Sequence, residues 1–155
     1  GAFATRAVQT LDTIIREAEA HPGAPPFSTP EEPLHDDHAQ ALCQAAVTLA
    51  SGGDAQAIVA VTRAGGTARR LSTLRPWAPI IATTDRHEMA RRLTLYWGVV
   101  PLRTDIGENV DATGALIGRE LVALGLVAAG ATIVLVSISP DLTRTDANYL
   151  KIQRL

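Results

Sequence analysis

Four short apolar runs alternate with helix-length amphipathic stretches, and a strand of alternating polarity closes the chain. That order predicts an α/β fold: a three-layer α/β/α sandwich on a mostly parallel five-stranded sheet, with a detached helix at the amino end. The runs Ile58 to Val61 and Thr132 to Ile138 carry no charge and no polar alternation, as strands covered on both faces do. A length of 155 residues supports one core of ordinary size without disulfides or metals, and is too short for a barrel enzyme.

Each element has its own signal. Ala7, Val8, Leu11, Ile14, Ile15 and Ala18 recur at spacings of three and four, which predicts a helix over residues 1–20 with Arg6, Asp12, Arg16 and Glu17 largely opposite. Residues 21–35 hold five of the nine prolines and should form an extended linker, leaving 36–155 as the α/β domain. Asp36 or Asp37 can cap a helix that buries Ala39, Leu42, Cys43, Ala46, Val47 and Ala50 and stops at Gly52-Gly53. After the strand at Ile58 come a short helix from Ala68 to Leu74, a strand at Ile80 to Thr84, and a helix from Arg86 to Trp97 capped by Asp85. Val99 to Arg103 contains Pro101 and belongs near a sheet edge. A helix opened by Asp111 leads to the strand at Thr132, and Tyr149 to Leu155 alternates as a one-faced antiparallel edge strand would.

Composition removes several function classes. A net charge of −2 offers no global attraction to nucleic acid or an anionic membrane, and no apolar stretch reaches membrane-spanning length. The single cysteine, Cys43, excludes an internal disulfide framework and fits a reducing, cytoplasmic setting. It lies on a buried stripe without a pairing His or Cys, so it is expected to be a small core residue. Asp36-Asp37-His38 is a solvated helix start rather than a metal site, because consecutive positions point in different directions. Asp85 with His87 is better explained as a cap and an exposed first-turn residue than as an acid–base pair. The arginine pairs 69–70 and 91–92 fit solvated helix faces. No catalytic residue and no metal ligand is assigned.

The chemistry concentrates where the first strand ends. Thr62, Arg63, Ala64, Gly65, Gly66 and Thr67 join an apolar strand to a helix. Two glycines allow consecutive N–H groups to converge, and the following helix adds its own N-terminal donors, so the loop is a candidate nest for a phosphate. Arg63 and Arg69 are close enough in sequence to assist. The competing reading is a tight strand-to-helix turn with Thr67 as N-cap, since the loop fits neither dinucleotide nor Walker A spacing.

Read together, Ala57-Ile-Val-Ala-Val-Thr-Arg-Ala-Gly-Gly-Thr-Ala-Arg69, Arg75-Pro-Trp-Ala-Pro-Ile-Ile-Ala82, Leu95-Tyr-Trp-Gly-Val-Val-Pro101 and Asn148-Tyr-Leu-Lys-Ile152 resemble the carboxyl-terminal domain of pyruvate kinase. The opening residues 1–19 resemble the last helix of that enzyme's barrel. The resemblance implies a regulatory and oligomerisation domain, either a fragment of a longer enzyme or a separate chain. Its partners would be a second copy of itself, the barrel of a parent enzyme, and a phosphorylated effector such as a sugar phosphate or nucleotide. It implies no catalysis by this chain alone. Phosphotransfer from phosphoenolpyruvate to ADP, with its Mg and K cofactors, would belong to the catalytic domain. The family's effector phosphate loop falls on Thr62, Ala64, Gly65, Gly66 and Thr67. Where the family often has serine and a basic or polar residue, this chain has Ala64 and Gly66; its late loop carries Asp141 and Asp146 in place of glycine-rich sequence. Each lost charge-assisted hydrogen bond costs about 1.5–3 kcal/mol, so effector binding is expected to be weakened or altered. The alternative is a stand-alone α/β module that binds a small phosphorylated metabolite.

Overall fold

The computed structural model describes residues 2–20, 37–107, 110–139, 143 and 148–155. The linker expected over 21–35, and Asp36 beside it, lie outside these residues. The chain divides into two compact units, 1–33 and 34–155.

The first unit contains α1 (Ala4–Ala20). Its polar face is stitched by Arg16 Nε donating to Asp12 Oδ2 at 2.8 Å, an i, i+4 pair. On the apolar stripe, Val8, Leu11, Ile14 and Ile15 are each more than half exposed.

In the second unit the order is α2 (Asp37–Gly52), β1 (Ala57–Val61), α3 (Gly66–Thr73), β2 (Ile80–Thr84), α4 (His87–Leu93), β3 (Val99–Arg103), α5 (Val110–Ala123), β4 (Thr132–Ser137) and β5 (Tyr149–Arg154). The sheet runs β3-β2-β1-β4-β5, parallel except for β5, which pairs antiparallel with β4. All five residues of β1 are buried, because both of its neighbours and both covering layers use it. Ile58 and Ala60 face one core with Val134 and Val136, under Cys43, Ala46 and Ala50 of α2, Ala68 and Leu71 of α3, and Leu93 of α4. Ala57, Val59 and Val61 face the other, with Ile133 and Leu135, under Ile117 and Leu121 of α5. The absence of polar alternation along β1 and β4 is the direct result of this two-sided burial. The residues that α2 buries are all small: Ala39, Cys43, Ala46 and Ala50. No helix among the described residues is long and apolar enough to cross a membrane.

The sheet and helices follow the sequence expectation, with three local differences. The helix after β2 ends at Leu93, short of Trp97, and Arg86 is its N-cap with no side-chain cap bond. Asp85 is instead drawn to Arg63, a partner 22 positions earlier whose proximity only the fold creates. The short helix after β1 starts at Gly66 with Gly65 as N-cap, so Thr67 lies within its first turn. Finally, β5 is not one-faced. Tyr149 and Leu155 pack into the α5 core, while Leu150 packs against the other. The α5 side is opened for it by Gly114 and Gly118: a Cβ on Gly118 would stand 2.5 Å from Leu155 Cδ2, and one on Gly114 3.3 Å from Gln153 Oε1.

Candidate functional site

Parallel strands deliver their carboxyl ends to one edge of the sheet. The order reverses between β1 and β4, since β1 leads outward to β2 and β3 while α5 carries the chain back to β4. A crevice outside the strand ends at such a reversal is where open α/β sheets take ligands. Val61 and Ser137 are register partners there, so the loops that follow them, beginning at Thr62 and Ile138, start side by side.

The first of these loops is shaped by two residues. Thr62 is 7% exposed, and its Oγ1 accepts the Gly65 N–H at 2.9 Å, closing the turn. Gly65 has φ +82°, a left-handed conformation in which an added Cβ would meet Met89 Sδ at 2.8 Å. The left-handed conformation favours glycine, and a Cβ would in addition require the Met89 side chain to shift. Gly65 O then accepts the Arg69 N–H at 3.0 Å, which starts the helix. Among the described residues the N–H groups of Gly66, Thr67 and Ala68 have no backbone acceptor, and the N-cap, Gly65, brings no side chain to cap the helix. Three donors and the positive end of α3 are therefore left at this turn.

The two nearby arginines take unequal places. The Arg63 guanidinium crosses the strand ends, with Nη2 donating to Ile106 O at 3.1 Å and Nε 3.4 Å from Asp85 Oδ2. It thereby ties together the loops after β1, β2 and β3. Arg70, expected on a solvated helix face, is half-buried, and its Nη1 lies 3.6 Å from the point a Cβ on Gly66 would occupy. The signal for it was the absent side chain at Gly66, which leaves that space to a residue one turn further on. Of the remaining positions, Ala64 is exposed, Gly66 half-buried and Thr67 3% exposed.

The rest of this edge is made of threonines. Thr62 N–H donates to Thr83 O at 2.9 Å, Thr104 N–H to Thr84 O at 3.1 Å, and Arg86 N–H to Thr84 Oγ1 at 3.3 Å. On the β4 side, Ser139 N–H donates to Asn148 Oδ1 at 2.9 Å. Asp141 and Asp146 lie outside the described residues. Cys43 is fully buried on the core-facing side of α2, and burial pushes its thiol up to about 11 against the opposing pull of Arg70. A neutral buried thiol is a packing group, not a nucleophile. Among the described residues, no group of three or more His, Cys, Asp or Glu side chains gathers to hold a metal.

Fold and edge together define a doubly wound α/β domain whose donor-rich turn sits at the strand-order reversal. The chain belongs to the pyruvate kinase family as its carboxyl-terminal α/β domain: the family described as "Pyruvate kinase, alpha/beta domain" matches residues 40–153. A pyruvate kinase from Agrobacterium vitis is 31% identical over 158 residues, covering 100% of this chain and 32% of its own length. One from Clostridium acetobutylicum is 31% identical over 159 residues, covering 99% and 33%. A pyruvate kinase from Cryptosporidium parvum superposes with a TM-score of 0.67 at 26% identity, over 79% of this chain and 23% of that one. The chain thus spans about a third of the length of the curated relatives it matches.

Proposed function

We propose that this chain is the regulatory and assembly domain of a pyruvate kinase-like protein. It binds a phosphorylated effector at the turn from Thr62 to Thr67, and phosphotransfer takes place outside it. The observation that carries the reading is the turn itself: three N–H groups at the start of α3 without a backbone acceptor among the described residues, beside a left-handed Gly65, at the strand-order reversal. An anion there would accept from Gly66, Thr67 and Ala68 and take additional charge from Arg70. The Gly65 N–H is committed to Thr62, and Arg63 is engaged with Asp85 and Ile106. The site therefore offers backbone donors more than side-chain clamps, which favours a compact phosphoryl group.

Calorimetric titration with fructose 1,6-bisphosphate, glucose 6-phosphate and AMP tests this. Saturable binding by at least one is expected, lost in Gly66→Glu. That variant keeps the fold because Gly66 has an ordinary backbone conformation, and it sets a carboxylate against the incoming anion. Absence of binding by all three would remove the effector from the reading and leave assembly alone. Turnover of phosphoenolpyruvate and ADP by the purified chain would overturn the assignment of catalysis elsewhere.

A further inference from the structure

Both tryptophans of the chain stand at the end of the sheet opposite the Thr62–Thr67 turn. Trp77 precedes β2 and Trp97 precedes β3, and the first residues of these strands, Ile80 and Val99, are register partners. Ile80 N–H donates to Gly98 O at 3.0 Å, which locks the two approaches together. Trp97 is held in place by Ser72 Oγ donating to its carbonyl at 2.8 Å and by the Arg75 guanidinium 4.8 Å above its ring. Between α4 and β3, Leu95 N–H donates to Arg92 O at 3.2 Å, keeping Leu95 beside Arg91 and Arg92. Trp77 is 79% exposed, Leu95 84% and Trp97 39%. Single exposed apolar side chains are ordinary; three large ones at the same end of two adjacent strands, rimmed by arginine, have the make-up of an interface centre.

Charge specifies what would cover them. Residues 62–104 carry eight arginines and two carboxylates, whereas the remainder of the chain carries six basic and fourteen acidic residues. Among the described residues no carboxylate pairs with Arg75, Arg91 or Arg92, and all three are exposed. Arg91 and Arg92 are neighbours in the last turn of α4 and form no ion pair among the described residues, so an anionic partner gains attraction there with little desolvation of existing pairs. A nucleic acid strand fits this patch poorly. One face of Trp97 is already occupied by Arg75, and Leu95 offers no ring to stack on.

We propose that Trp77, Leu95 and Trp97, ringed by Arg75, Arg91 and Arg92, form a docking surface for an acidic polypeptide segment that carries apolar side chains. The surface is separate from the effector turn and stands whether or not that turn binds a phosphate.

A random twelve-residue peptide library displayed on phage, selected on the folded 155-residue chain, tests it. The selected sequences are expected to be enriched in Asp and Glu interspersed with apolar residues. The synthetic form of a selected peptide should give a saturable blue shift of tryptophan emission, which reports only on this patch. Binding should weaken at least tenfold in Arg91→Glu/Arg92→Glu and separately in Trp77→Ala, and stay unchanged in Arg119→Glu on α5. Matching thermal melts by circular dichroism would show that each variant is folded. Selection without acidic enrichment, or unchanged affinity in both patch variants, would overturn the proposal. So would equal binding by an oligothymidylate of the same length.

Discussion

Gly65 is the residue on which the local geometry of the turn from Thr62 to Thr67 depends, and its two constraints have different origins. Its φ of +82° is a backbone requirement, while the 2.8 Å approach to Met89 Sδ is one of packing. Gly65→Ala is therefore expected to destabilise the domain by about 1–3 kcal/mol, read as a lower urea midpoint with unchanged slope. Gly66→Ala, with 3.6 Å to its nearest neighbour, should leave the midpoint nearly unmoved. Sequence spacing pointed to a turn here, but not to its closure by the Thr62 hydroxyl. A threonine three places before a glycine is the pattern that would have revealed it. Cys43 makes a different kind of prediction. Its folded thiol titrates near 11 against an ordinary 9.0, so the native state holds its proton longer than the unfolded chain. The resulting stability is complete below pH 9 and is lost as pH rises toward 11. Urea midpoints at pH 8, 10 and 11 should fall further in the native protein than in Cys43→Ala.

Strands and helices were readable wherever an element's own residues decide it. β1 and β4 announce themselves because burial on both faces leaves no room for polar residues, and Pro101 marks β3 as an edge in advance. What sequence could not supply were partners separated by many positions. The Arg63–Asp85 pair, the bond from Arg63 to Ile106, and the Ser72 and Arg75 contacts to Trp97 all depend on sheet order. Asp85 therefore looked like a helix cap when its carboxylate is used as a tie between loops. Because Arg63 and Asp85 are substantially solvated, Arg63→Ala should cost less than about 1 kcal/mol of global stability. Its effect should instead be local: faster amide hydrogen exchange over residues 104–107, measured by mass spectrometry, with the exchange of β1 unchanged.

The whole sheet has two unequal borders. β3 is blunted by Pro101, whereas β5 carries no proline and exposes Ile152 at 54%. If the chain assembles as proposed, β5 is the border that meets a second copy. Sedimentation velocity at micromolar concentration should then show a dimer or larger species that Ile152→Lys shifts toward monomer; an unchanged profile would count against assembly through β5.

The order of strands also sets a schedule for synthesis. β1, β2 and β3 lie successively outward in the sheet, so each can pair as soon as it is made. The opposite side of β1 must wait for β4, whose Ile133 pairs with Ala57. A nascent chain that has reached β3 therefore holds its most apolar strand with one side bare until residues 132–137 emerge, and during that interval another chain can take the place meant for β4.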